Sequence, residues 1–295
     1  MVTTVLNFSN ANDLLNHICS WNNDYNGYVF RGQSSDTYQL IPSIFRENAR
    51  YIADSEYPRN GTNSHFEYSQ IQSEFKLLRE FFKLADQNGL KVPISENIRR
   101  FLISKHDYNF AKSTDQDSLW IPDDLLDVAA LAQHYGIPTR LLDWSYDPFI
   151  SAYFAASSVN DSEGNLAIWC FNAEWVSTSM MRMSNSPLRI ITPPNSDNQN
   201  LSAQRGLFTH ISTPINFNDT SNVDKEVDRR PLDAQLDELL PMRMQNRDKT
   251  LIKLILPRSE AKDLLYKLMQ HNYGDARIYP GYNGVADQVM RKFKK

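Results

Sequence analysis

Arg31 closes the apolar run Tyr28-Val29-Phe30 and is followed at once by Gly32. A guanidinium there can hold a phosphate or a ribose with its planar fork, with Gly32 letting the ligand reach the backbone. It can equally form a structural ion pair with an acidic neighbour. Far downstream, Gln133, His134, Thr139, Arg140, Asp143 and Ser145 gather in one short stretch. Polar groups crowded at the ends of elements are where α/β proteins place their sites. Gln133 and His134, near a helix end, can also simply cap carbonyls. Strict alternation turns Arg140 and Asp143 to opposite faces, so they need different partners, and Arg31 is a candidate partner for one of them. Trp144 reads as core or as a pocket wall.

Other chemistries lack their residues. Neither GxGxxG nor GxxxxGK[ST] occurs, and the chain has only 10 glycines. The 6 histidines form no HExxH and no short metal pair, so no metal site is expected. A hydrolase built on His134 and Asp143 has no nucleophile, since there is no GxSxG elbow. Cys19 falls in an amphipathic helix and Cys170 in an apolar strand. Both read as small buried hydrophobes.

The elements that must position these groups are legible around Leu125–Ser157. Leu125, Val128, Ala129, Ala132 and Tyr135 recur at helical spacing. Gly136 sits where a helix C-terminus needs a left-handed residue, and Pro138 prevents resumption. Thr139–Trp144 is short, apolar and bounded by breakers, which predicts a strand. Asp147 then caps a second helix with Pro148 at its first position and Phe149, Ile150, Tyr153 and Phe154 as its apolar face.

Upstream, Val5–Phe8 is a predicted strand. A helix follows through Leu14, Leu15, Ile18 and Trp21, and Tyr28–Gly32 is a second strand. Helices are expected over His65–Ala85 and Ile94–Ile103. Downstream, strands are expected at Leu166–Phe171, at Gln204–Ile211 with Gln204 opening it, at Leu251–Leu256 and at Ala276–Pro280. Helices are expected at Ala261–His271 and Val285–Phe293. Trp175–Ser186 is ambiguous, and Ile190–Asn200 reads as a loop. Polar insertions fall near 47–64, 107–122 and 216–248. The last, with few apolar residues to offset ordering entropy, reads as a mobile arm or lid with helical potential near Leu232–Leu240.

At 295 residues, with 41% hydrophobic and 22% charged residues, the chain can bury a full core, and no interior linker divides it. It reads as a single domain, 1–295. A net charge of -4 gives no basic field for a dedicated nucleic-acid binder, although it leaves room for a local basic groove. No apolar run approaches the roughly 18 residues of a membrane span, and the N-terminus has no signal layout. No membrane association is expected, and the expected location is cytoplasmic.

Several blocks carry a resemblance: Tyr28-Val-Phe-Arg-Gly-Gln33, Leu40-Ile-Pro-Ser-Ile-Phe-Arg46, Ala132-Gln-His-Tyr-Gly-Ile-Pro-Thr-Arg-Leu-Leu-Asp-Trp-Ser145, Gln204-Arg-Gly-Leu-Phe208 and Ile278–Gly284. Together they resemble the FRG-domain family over roughly Asn26 to Ala286. That resemblance implies a bacterial, phage or mobile-element protein used as a toxin or in defence.

The order of motifs is also similar to the ADP-ribosyltransferase fold. This implies an α+β architecture of mixed sheets with surrounding helices forming a central cleft. It implies NAD as cofactor, with a protein or nucleic-acid acceptor and an antitoxin, chaperone or phage trigger protein as possible partners. In that order Arg31 takes the first catalytic place and Ser145 the second. Gln204 is the candidate for the third, with Glu74 a weaker one, because no Q-x-E or E-x-E strand is present. Arg31, Gly32, Gln133, His134, Thr139, Arg140, Asp143 and Trp144 would then bind the cofactor, Trp144 as the wall of the nicotinamide pocket. The alternative is a non-enzymatic module that binds a nucleotide, nucleic acid or phage protein.

Overall fold

The computed structural model describes residues 1–19, 21, 24–54, 66–93, 95–102, 118–181, 187–192, 199–215 and 225–293. Of the expected insertions, 55–64, 107–117 and 216–224 lie outside the described residues.

The architecture is α+β. A seven-stranded mixed sheet contains β1 (Thr3–Asn7), β2 (Tyr28–Gln33), β4 (Leu142–Ser145), β5 (Asn165–Asn172), β6 (Leu188–Ile191), β7 (Gly206–Ile211) and β9 (Leu251–Pro257). Their order is β1-β9-β5-β2-β4-β7-β6. Only β1 and β9 pair in parallel; the other pairs are antiparallel. A separate ribbon joins β3 (Ser118–Trp120) to β8 (Thr213–Ile215).

Period-two alternation divides the interior. From β5, Leu166, Ile168 and Cys170 face one way, into a core with the Ala11–Ile18, Pro148–Ser157 and Ala261–Gln270 helices. Trp169 and Phe171 face the other way, beside Trp144, Val176, Leu232, Leu236 and Leu240. Burial on both faces explains why this strand is continuously apolar. A third core lies among the Glu67–Gln87, Glu96–Leu102 and Asp123–His134 helices and includes Trp120 and Phe208.

Several expectations need correction. Residues 225–248 are not a mobile arm as far as they are described. Leu232–Leu239 is a helix, Leu236 and Leu240 are 0% and 1% exposed, and the Leu232 amide bonds to the Leu40 carbonyl. Spaced leucines on one helical face bury enough area to order a segment whose average composition is polar. The strand expected at Thr139–Trp144 starts only at Leu142, because the Thr139 amide and carbonyl turn aside to Ser43.

Ala276–Pro280 is not a strand. Asp275–Ile278 forms a short helix whose end bonds back to Gly274 and Asp275. Trp21 lies beyond the first helix and is 93% exposed. Ile190 and Ile191 belong to β6 rather than to a loop, and the ambiguous segment begins as the Ala173–Met181 helix. Cys170 is fully buried, while Cys19 is only half-buried. No described helix is long and apolar enough to cross a membrane.

Candidate functional site

The Asp123–His134 helix ends as its sequence predicts. Gly136 takes φ +87, its amide bonds to the Gln133 carbonyl, and the Ile137 amide reaches back to Ala132. This paired closure satisfies the last carbonyls and leaves Gln133 and His134 on the final turn. The chain then enters β4, which pairs with β2 through Ser145 and Phe30. Asp147 caps the next helix through the Phe149 amide at 3.0 Å. Loop, strand and helix thus converge beside the end of β2.

Between them opens a cleft of about 1020 Å³. Arg31, Gly32, Gln133, His134, Asp143, Trp144, Ser145 and Gln204 all line it. Arg31 Nη1 donates to the Asp143 carbonyl at 2.9 Å and to its carboxylate at 3.2 Å. Arg31 Nε is buried without a partner, and Nη2 has none among the described residues. The Asp143 carboxylate also accepts from Gln133 Nε2 at 2.9 Å.

Arg46 lines the same cleft, and its Nε donates to the Ile41 carbonyl at 3.1 Å. Burial and then the like charge of Arg31 lower its pKa, against the opposing pull of Asp143. Burial also lowers the pKa of His134, and Asp143 partly offsets this. The imidazole is therefore largely neutral at pH 7.

Arg140 does not join the cleft. It is buried on the opposite side of the chain, where its Nε donates to Glu74 at 2.8 Å and its Nη1 to Glu67. Burial opposes its charge, but Glu67 and Glu74 outweigh burial and raise its pKa. Arg140 lies ahead of β4 and turns to the buried glutamates, while Asp143, on the strand, pairs with Arg31. Glu74, the weaker third candidate, also bonds Trp120 Nε1 at 2.6 Å and lies outside the cleft lining. Thr139 is buried too, and does not line the cleft.

Other candidates line the cleft but do different work from that expected. Gly32 is required by packing: a Cβ there would lie 1.9 Å from the Ser151 carbonyl oxygen. The Pro148–Ser157 helix rests directly on this glycine. Trp144 lines the cleft with little exposed surface: its indole is buried, with Nε1 bonded to Thr209 at 2.9 Å and the ring tilted on Phe171. Ser145 Oγ donates to the Gln204 carbonyl at 2.8 Å and accepts from the Asp147 amide at 3.0 Å. Gln204 ends the Gln199–Gln204 helix instead of opening β7, and its Nε2 donates to the Ile278 carbonyl at 3.3 Å.

Sequence reasoning missed Arg46, Glu47 and the rings of Tyr38, Tyr135, Phe154 and Tyr279, which also line the cleft. Arg46 closes a block that the family resemblance quotes, and that was the available signal. Asp143 and Glu47 are the carboxylates of the cleft among the described residues. No described cluster of three or more His, Cys, Asp or Glu is placed to hold a metal.

The family model described as FRG domain matches residues 26–164. The match takes in Arg31, Arg46 and the whole Gln133–Ser145 stretch, but not the blocks at 204–208 and 278–284. No curated protein matches the chain, and no solved structure does. The ADP-ribosyltransferase-like part of the expected fold thus has no structural neighbour behind it.

Proposed function

On the premise of the FRG domain matched over residues 26–164, we propose that the cleft binds a nucleotide, NAD, for ADP-ribosyl transfer. One observation carries the reading: two guanidiniums, Arg31 and Arg46, share a partly buried wall with Asp143, whose carboxylate is bound by one of them. Glu47, the other carboxylate of the cleft, pairs with Arg50, and guanidinium N–H groups left unmatched in a concave site favour a phosphate-bearing ligand. Tyr38, Tyr135 and Tyr279 are 56%, 68% and 40% exposed while lining the same cleft, and offer faces on which a base can stack.

In this reading Arg31 and Arg46 hold the pyrophosphate, and the tyrosines take the rings. Transfer breaks the bond between nicotinamide and ribose, and the acceptor nucleophile bonds to that ribose carbon as it loses its proton. Asp143 or Glu47, the carboxylates that line the cleft, receives the proton, while Ser145 Oγ and Gln204 Nε2 are held in internal hydrogen bonds. Positioning and charge, rather than a covalent enzyme intermediate, would do the work. The family's association with toxins and phage defence makes an effector role the natural setting, with a protein or nucleic-acid acceptor.

The same internal commitment of Ser145 and Gln204 favours a second reading, a non-enzymatic module that binds a nucleotide, nucleic acid or phage protein. Calorimetry with NAD, ADP-ribose and ATP, followed by incubation with labelled NAD and cell lysate, separates the two. The first reading expects binding of NAD and ADP-ribose and label fixed in macromolecules. Binding without label leaves the module, and no binding of any of the three removes the nucleotide site.

A further inference from the structure

We infer that Gln133 is a positioning residue, whose side-chain amide holds Asp143 and through it aims the Arg31 guanidinium into the cleft. The inference deepens the nucleotide reading, because it rests on Arg31 meeting the ligand. The chain of hydrogen bonds has one direction. The Leu141 amide donates to Thr139 Oγ1 at 3.1 Å, so the Thr139 hydroxyl proton is free to point onward, to Gln133 Oε1. That contact assigns the amide oxygen. Both hydrogens of Nε2 are then spent, one on the Leu141 carbonyl at 3.0 Å and one on Asp143 Oδ1 at 2.9 Å.

Asp143 keeps Oδ2 and its carbonyl for Arg31 Nη1, at 3.2 and 2.9 Å. A reversed amide would set oxygen against two acceptors and nitrogen against a hydroxyl proton, so the order cannot flip at low cost. Asp143 needs this tether. Its side chain is 55% exposed and, without Gln133, would sample several rotamers. Thr139 is buried at the start of the relay, so the orientation of a cleft arginine is set from the core.

The test uses Gln133→Glu, of the same shape, and the double variant Gln133→Glu/Asp143→Asn. The single change sets a carboxylate against the Leu141 carbonyl and Asp143. The double variant has the wild-type net charge and restores a contact of reversed sense. The introduced asparagine amide then donates to the introduced carboxylate and leaves its own oxygen for Arg31. Three readouts are taken: the guanidinium ¹⁵N signals of Arg31 in ligand-free protein, the calorimetric affinity for ADP-ribose, and the melting temperature.

The inference expects Gln133→Glu to mobilise the Arg31 guanidinium and to weaken ADP-ribose binding at least tenfold. The double variant should recover both in part, and the melts should stay within a few degrees. A single variant with unchanged Arg31 signals, or a double variant with no recovery of them, overturns it. Should Gln133→Glu fail to fold, the uncharged Gln133→Met takes its place, with mobilised Arg31 signals expected. If wild type binds no ADP-ribose, the nucleotide reading falls, and the ligand-free Arg31 signals still decide the role of Gln133.

Discussion

Arg31 and Asp143, 112 residues apart in the chain, meet through a single nitrogen: Arg31 Nη1 donates to both the carboxylate and the backbone carbonyl of Asp143. The contact aligns the end of β2 with β4 and leaves the rest of the guanidinium facing other demands. Arg31→Lys keeps the charge and removes the fork. The expected result is a nucleotide affinity ten- to a hundredfold lower, about 1.5–3 kcal/mol for one lost charge-assisted bond. The melt should shift little, because a pair with one half-exposed partner contributes only ~0–1 kcal/mol. Calorimetry beside thermal melts checks this. Full affinity in a stable Arg31→Lys protein would reject the ligand role, and matching melt losses in Arg31→Lys and Asp143→Asn would make the pair structural.

Gly32→Ala probes a different function of the same strand end. The new methyl would meet the backbone of Ser151 at 1.9 Å and of Ala155 at 2.7 Å, and neither atom can rotate away. The helix must lift from the sheet, at a cost of roughly 1–3 kcal/mol or more. At about 2–4 °C per kcal/mol for a chain of this size, the loss is visible in a melt. An unchanged melting temperature would contradict the packing account.

Glu74→Ala should be far more damaging to the fold and nearly silent at the cleft. Glu74 accepts from Arg140, Trp120 and Gln70 in a buried cluster. Removing it strips a buried guanidinium of one of its two carboxylates and leaves a void. Breaking a buried pair costs about 3–5 kcal/mol. Denaturant titration measures that loss. If the protein that does fold binds nucleotide more weakly than wild type, the cluster is part of the site after all.

His210 supplies a pH dependence with a definite sign. Burial first, and the nearby Arg140 second, push its pKa down to about 3 from 6.5. Its Nε2 lies 3.1 Å from the Ile121 amide. The unfolded chain binds a proton that the native ring refuses, so stability from this residue is full above pH 6.5 and falls as pH drops toward 3. The slope approaches about 1.4 kcal/mol per pH unit inside that window. Denaturant titrations of wild type and His210→Gln between about pH 7 and pH 4 should differ by this slope. Parallel pH profiles would refute it.

The recognisable parts of the site were those set by local rules. Gly136 and Pro138 stop a helix, and Asp147 and Pro148 start one, because φ, capping and the missing proline amide act within a few residues. The same locality misled elsewhere. Arg140 and Asp143 lie close in sequence and both stand among the expected cofactor-binding residues, yet Arg140, ahead of β4, packs against buried glutamates and only Asp143 reaches the cleft. Trp144 is legible as core or wall, and only the positions of Thr209 and Phe171 show how its indole is buried at the cleft's edge.

By itself the sequence determined the FRG-domain match, the α+β class, most helix and strand positions and several residues that line the cleft, since these follow from short-range stereochemistry and motif identity. The tertiary structure decided which of those residues face the same space. It withdrew Arg140, Thr139 and Glu74 into the interior and brought Arg46, Glu47 and the rim tyrosines to the cleft. It also turned Gly32 from a ligand's doorway into the seat of a helix, and ordered 225–248 against the sheet. Each of these outcomes depends on which surfaces pack together across long stretches of chain. Burial and charge pairing at such distances leave no periodic trace along the sequence.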